Sequence, residues 1–598
     1  MDELWARASS SVTTDVSVAS AKQYTHVVVG CGLAGLTVAV RLSEDSSNTV
    51  LCIEAGGDSR TDSRVQSLGA YGQAFGSSLD WSFKTTSQAS TGTTKTIHAG
   101  KTLGGSTAIN GGSWGRPDRS QIDGIGSLGN EGWSWDDLET FMKKSENSHA
   151  PNSAQSSAGA QWDSDAHGTS GPLDISFPPS MYSGPQQPAF VQGLSQALNV
   201  TQVADLSSGD VTGVVAYTQD SILPDGDRVR VSSATAYLSP VESSRSNLVV
   251  LLNYRGISIK WASGSGARAT GVVAKSSATG PSTTFGASKE VIVAAGALRS
   301  PVFLESSGIG DSSILSKIGV STKVNLPGVG RNLQEQTMNS IGTPSGSYDF
   351  GGDGPSNVIA FPNIYQLMSN ASDVRSWIEA NMNDWAQAQA NGGFVISKES
   401  LLKQWNNTLT LLFDKKVGAV EFFGDSGYPA GGFGIDTWQM LPFSRGSIHA
   451  TSASGFSRST INPNYFSVPA DMQITVAGLR GARKVLKSNA VSQALGQSES
   501  VPGFQLIPDG SNSGRYDRWA SWVLDPNAGF SSVAHPIATC SMLPEADGGV
   551  VGSDFLVYHT QNVRVVDASV LPTQISAHLS ATLYGIAEKA ASVIAAAA

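Results

Sequence analysis

Thr25-His26-Val27-Val28-Val29-Gly30-Cys31-Gly32-Leu33-Ala34-Gly35 is the stretch of this 598-residue chain that decides its fold. Val27 to Val29 read as a short buried strand, and Gly30, Gly32 and Gly35 keep the G-x-G-x-x-G spacing. An apolar, helix-like run follows to about Glu44, then a second strand from Thr49 to Glu54. Strand, glycine turn, helix and strand within about 30 residues is the order of a nucleotide-binding βαβ unit. In such a unit Gly30 makes the tight turn and Gly32 leaves room for a pyrophosphate at the helix N-terminus. Gly35 lets the helix pack closely on the strand, and Leu33, Ala34 and Ala55 lie beside the same ligand. Glu54, 19 residues after Gly35, is placed for an adenosine ribose hydroxyl. An acid there disfavours a 2′-phosphate, and the motif alone leaves FAD and NAD both open.

Working outward, the chain is long enough for more than one ordinary core. It holds 39 Lys+Arg against 49 Asp+Glu, a net charge of -10, and lacks a basic cluster. That balance argues against nucleic acid, whose phosphates demand a basic face. No apolar run is long enough to span a membrane. The three cysteines, Cys31, Cys52 and Cys540, form no metal-ligand spacing, so no metal is indicated. An odd count leaves at least one thiol without an intrachain partner. Cys31 and Cys52 are expected to act as small apolar residues in or beside a strand. The 65 glycines follow no period and cluster at particular places. Residues 1–22 read as a Ser/Thr/Ala-rich tail without a signal-peptide core, and 345–358 as a Gly/Ser/Asp-rich loop. Helical periodicity is expected at 372–392, 397–404, 471–488 and 580–596, and strands at 247–261, 269–275 and 290–295.

Four further segments carry a family resemblance. Gly100 to Pro117, with Gly104-Gly105-Ser106 and Asn110-Gly111-Gly112-Ser113-Trp114, resembles the first signature of the glucose-methanol-choline (GMC) flavoprotein oxidoreductases. Gly296 to Gly310 resembles the second, with Phe303 in place of the usual aliphatic residue. Leu326 to Gln336 is similar to the family's flavin-contacting loop, and Val563 to Pro572, with Asp567 and Ala568, to its C-terminal flavin segment. Within the family, Gly129 to Trp135, Leu441 to Gly446 and Ile461 to Phe466 are similar to the fungal glucose oxidase and FAD glucose dehydrogenase branch.

The resemblance implies an α/β chain, α+β overall. It pairs a Rossmann-like FAD-binding domain with a discontinuous substrate-binding domain whose antiparallel sheet is flanked by helices. The expected division is a tail at 1–22, an FAD domain from 23–120, 246–336 and 525–598, and a substrate domain from 121–245 and 337–524. Relatives that bind FAD covalently use a histidine at the position of Ile109, and His98 is off that register. Non-covalent FAD is therefore expected.

Alcohol oxidation needs a base for the hydroxyl proton, a site for the developing alkoxide and a hydride acceptor. The resemblance places His535 as the base and His578 as the group bonding the same oxygen. The other six histidines, His26, His98, His149, His167, His449 and His559, are expected to be structural or surface residues. Glucose-active relatives carry Arg and Asn upstream of the base, where this chain has Ser531 and Val533, with Ala534 in place of an aromatic residue. Apolar groups cannot bond sugar hydroxyls, so glucose is expected to be a poor substrate. Trp114 and Trp438 complete the expected pocket.

A less polar primary alcohol is expected instead: aromatic, heteroaromatic or a secondary-metabolite intermediate, as in a patulin synthase-like lactone closure. Oxygen is the expected acceptor, giving peroxide. The alternatives are a sugar dehydrogenase with a quinone acceptor and, from another class, a non-redox cyclase with structural FAD. Sequons at Asn199, Asn370 and Asn406 are consistent with a secreted glycoprotein, and a homodimer is compatible with the sequence.

Overall fold

The computed structural model describes residues 11–182, 184–224, 228–264, 266–344, 357–429, 431–510 and 514–597. Most of the expected 345–358 loop lies outside these residues. Two sheets dominate, each with its own apolar core.

The first sheet grows from the strand Tyr24–Val29. Val50–Ile53 and Ser282–Val293 flank it in parallel, and Leu248–Leu251 continues beyond Val50–Ile53. Val563–Val565 joins Val291–Val293 in parallel, while Ala269–Lys275 and Arg255–Trp261 extend the other end as an antiparallel ribbon. Parallel strands covered on both faces lose the polar alternation of a half-exposed sheet. Val50-Leu51-Cys52-Ile53 accordingly has every side chain buried. The helices Leu33–Leu42 and Leu579–Ala597 pack together over this sheet.

Part of the expected tail is folded: Val12–Thr13 forms an edge strand parallel to Val250–Leu251. Two residues are too short for periodicity to reveal. The reading of Cys31 and Cys52 as apolar thiols also needs correction, because they form a disulfide and Cys540 alone stays a buried thiol. Cys31 lies in the glycine turn and Cys52 on the adjacent strand, 21 residues later. The bond therefore ties the turn to its neighbour.

The second sheet runs, in spatial order, Ser531–Ser532, Thr337–Thr343, Phe433–Gln439, Val420–Ser426, Val358–Phe361, Val214–Tyr217 and Thr201–Gln202. All neighbours are antiparallel except the last pair. The helix Pro469–Leu486 starts with a proline, whose fixed φ suits the first turn, and packs on Phe433–Gln439. The register brings Phe423 opposite Asp436, and Glu421 and Met338 opposite Trp438. Because side chains alternate, Glu421, Phe423, Asp425, Asp436, Trp438 and Met338 share one face. That face turns toward the first sheet.

Candidate active site

A cavity of about 590 Å³ runs between the two sheets. One half is built by the glycine turn and its surroundings: Gly30, Gly32, Leu33, Ala34, Glu54 and Ala55 line it. Gly35 stands behind, where a Cβ would lie 1.8 Å from the Gly30 carbonyl oxygen. The helix Leu33–Leu42 begins at Gly32 with no side-chain cap, which leaves first-turn N–H groups for a ligand. Glu54 is buried; its Oε1 accepts from Gly56 N–H at 2.8 Å and its Oε2 from Cys31 N–H at 3.0 Å.

Gly105, Ser106, Asn110, Gly111, Gly112 and Ser113 also line the cavity. At Gly105 a Cβ would meet Gly32 Cα at 2.8 Å, so two side-chain-free backbones form the floor. Gly104 does not line it; its N–H donates to the Cys31 carbonyl at 2.9 Å. Asp567 and Ala568 do, and Asp567 joins segments by accepting from Gly296 N–H at 2.9 Å and Ser569 N–H at 2.8 Å.

Arg255 and Arg299, not singled out in the sequence, line the same half. Each donates to the Gly455 carbonyl at 2.8 Å, and neither has a carboxylate partner among the described residues. Arg255 Nε is buried without a partner, and burial pulls Arg299 down to about 10. Uncapped N–H groups, a side-chain-free floor and two guanidiniums without a carboxylate partner among the described residues suit an anionic dinucleotide. At Gly30 two constraints meet: φ is +100° and a Cβ would sit 2.5 Å from the Ala294 carbonyl oxygen. Gly30→Ala is expected to cost at least ~2 kcal/mol and to yield protein depleted of flavin. Thermal melting and the flavin-to-protein absorbance ratio check this; wild-type values for both would refute it.

The other half belongs to the second sheet. Met338, Phe423, Asp425, Asp436 and Trp438 line it, with Val533, Ala534, His535 and His578 from the C-terminal segments. Tyr71 joins them. Two expected pocket residues lie elsewhere. Trp114 is in the core, its Nε1 donating to Glu146 at 2.7 Å, and Ser531 is an exposed strand residue whose neighbour Ser532 lines the cavity instead. Strand alternation turns only one of these adjacent serines inward.

The ring centroids of His535 and His578 are 5.6 Å apart at 79°. His535 follows the left-handed Ala534 (φ +66°) and is held on its backbone. Its N–H donates to Glu335 Oε1 at 3.2 Å, and its carbonyl accepts from Gln574 Nε2 at 2.7 Å. Burial, helped by the nearby His578 charge, pulls His535 down to about 3, so it is a neutral imidazole. His578 Nε2 lies 2.8 Å from Glu421 Oε1. Burial opposes its charge, but the Glu421 carboxylate overrides this and raises it. Two histidines are thus pushed apart, one toward base and one toward imidazolium. Burial also raises Asp425 and Asp436, and for Asp436 the Asp425 charge adds to the effect.

The segment Leu326 to Gln336, expected at the flavin, contributes no residue to the cavity wall. It supports the histidine segment from behind: Gln334 pairs with Ile537, while Glu335 and Gln336 both reach His535. Gly328 and Gly330 serve close backbone approaches, with Cβ positions 2.1 Å from the Gly548 and Ile448 carbonyl oxygens.

The GMC oxidoreductase family profile matches residues 3–338 with its N-terminal part and 442–587 with its C-terminal part. The chain belongs to the GMC oxidoreductase family. This GMC protein is 37% identical to a glucose oxidase-like protein, fsoC, of Humicola fuscoatra over 96% of this chain and 95% of that one. Its fold matches an FAD-dependent oxidoreductase from Chaetomium thermophilum with a TM-score of 0.87 and 26% identity, over 96% and 99% of the chains. A fungal aryl-alcohol oxidase matches with a TM-score of 0.85 and 26% identity, over 96% and 98%. The chain is an FAD-dependent oxidoreductase acting on CH–OH donors. No helix among the described residues is long and apolar enough to cross a membrane.

Proposed function

We propose that this GMC enzyme oxidises a primary alcohol with an aromatic or otherwise weakly polar body, and that oxygen accepts the electrons as peroxide. The carrying observation is the wall beside His535: Val533 and Ala534 adjoin it, and Phe423, Trp438 and Met338 face it. Apart from the buried Trp438 Nε1–H, which has no partner among the described residues, these groups offer contact area and ring stacking and no hydrogen bonds for sugar hydroxyls. The likeness in fold to an aryl-alcohol oxidase supports the same reading.

The bound flavin supplies the hydride acceptor. His535 takes the hydroxyl proton, and His578 donates a hydrogen bond to the same oxygen. Gly30, Gly32, Leu33, Ala34, Glu54, Ala55, Gly105, Ser106, Asn110 to Ser113, Asp567 and Ala568 would hold the cofactor. Ile109 lines the cavity and cannot form a covalent link to it, which supports dissociable FAD. Asn199, Asn370 and Asn406 are exposed, as glycan acceptors in a secreted protein must be.

A sugar substrate is the second reading, favoured by Asp425 and Asp436 on the substrate side. The test is a panel of benzylic alcohols and sugars, each with oxygen and with a quinone. Benzylic alcohols are expected to give kcat/KM at least ~100-fold above glucose, with peroxide formed. Glucose as the best donor would overturn the substrate reading. Absence of anaerobic flavin bleaching by any alcohol that is turned over would favour the non-redox cyclase.

A further inference from the structure

We infer that Gln336 fixes His535 in the Nδ1–H tautomer and so keeps Nε2 free for the substrate hydroxyl. The inference rests on His535 being the base. Gln336 is almost fully buried (1% exposed), and its Oε1 lies 2.8 Å from His535 Nδ1. On its own that distance fits either tautomer, because a glutamine amide can accept through oxygen or donate through nitrogen. The other end of the amide removes the ambiguity. Gln336 Nε2 donates to the Met440 carbonyl at 2.9 Å, and a carbonyl can only accept. The amide nitrogen must therefore face Met440, the amide oxygen must face His535, and Nδ1 must carry the hydrogen. Neutral imidazole has one N–H, so Nε2 holds a lone pair, and it has no partner among the described residues.

Backbone pairing holds Gln336 in place. Its carbonyl accepts from Val533 N–H at 3.2 Å, and the next residue, Thr337, pairs with Ser532 across the two strands. The amide is thus locked relative to the loop that carries His535. Gln336 does not touch the reacting atoms; it is a positioning residue that acts through His535. In the opposite tautomer the hydrogen would occupy Nε2 and the imidazole could not accept the alcohol proton there.

The test compares Gln336→Met, which keeps volume but loses the acceptor, with Gln336→Glu, which keeps an acceptor, and with His535→Ala. Three readouts are used: anaerobic flavin reduction by a benzylic alcohol, substrate Kd from the same titrations, and 15N spectra of histidine-labelled holoenzyme, with the His535 signals assigned by their loss in His535→Ala. In the wild type, Nδ1 is expected to show the protonated and Nε2 the unprotonated signature. Gln336→Met is expected to reduce flavin ~10- to 100-fold more slowly with Kd within about threefold, and to show mixed tautomers. Gln336→Glu should recover most of the rate. A wild-type spectrum with the hydrogen on Nε2 would overturn the inference, whatever the variants do. So would an unimpaired Gln336→Met beside an inactive His535→Ala. An active His535→Ala would instead remove the base assignment itself.

Discussion

His535→Ala is expected to slow anaerobic flavin reduction by about 10²- to 10⁴-fold, the usual worth of a positioned general base. The loss should fall on the reduction step, not on binding, because the substrate half of the cavity also has Phe423, Trp438, Met338 and Val533 to hold the alcohol. The pH dependence sharpens the expectation. On the proposed mechanism the active form is the neutral imidazole, present above its pKa. Burial and His578 pull that value to about 3, so this group should impose no fall in rate as pH drops from 7 to 5. Stopped-flow reduction across that range, wild type beside variant, makes the check. Full-rate reduction by the variant would exclude His535 as the base, and a wild-type acid limb near the ordinary histidine value of about 6.5 would contradict its burial.

Glu421→Gln is expected to have the second-largest effect, about 10- to 100-fold in kcat near neutral pH, through His578. Glu421 is fully buried; among the described residues His578 is the one partner of its Oε1, and Oε2 has none. With Nε2–H directed at Glu421, His578 can donate from Nδ1 only as an imidazolium. Its raised pKa keeps that form populated, and activity should fall as pH rises through it. An amide carries no charge, so burial would then dominate and the alkaline limb should move to lower pH. Stability follows the same sign. A histidine with a raised folded pKa contributes stability that is complete below the unfolded value of about 6.5 and is lost as pH rises through the folded one. The melting difference between wild type and Glu421→Gln should therefore be largest in mild acid and shrink in base. An unmoved alkaline limb would remove Glu421 from this role.

Legibility in the sequence followed sequence distance. The glycine turn, its two strands and its helix occupy about 30 consecutive residues, and periodicity with turn chemistry is enough to read them. The long helices are equally local: Ala371–Asn391 and Pro469–Leu486 fall within a few residues of their expected spans. The histidine pair was reached through motif register, but its partners were not. Glu421 is 157 residues from His578, and Gln336 is 199 from His535. Within its strand Glu421 looks like one polar residue in an apolar run. Only the pairing of Glu421 with Trp438 puts it on the sheet face that meets His578. Trp114 shows the opposite failure: it adjoins residues that line the cavity, yet its side chain points to Glu146. That Arg255 and Arg299 lack a carboxylate partner among the described residues is a property of the assembled cavity and leaves no mark in the sequence.

The face shared by three neighbouring strands has a consequence for how such an enzyme changes its appetite. Met338, Phe423, Asp425, Asp436 and Trp438 occupy alternate positions of one sheet, and none of them belongs to the half that Gly30, Glu54 and Gly105 build. Under the proposed function, exchanging any of them is expected to change what is gripped while the backbone ladder that carries it stays intact. On the proposed function, substrate choice and cofactor binding therefore rest on different residues and can be altered one without the other.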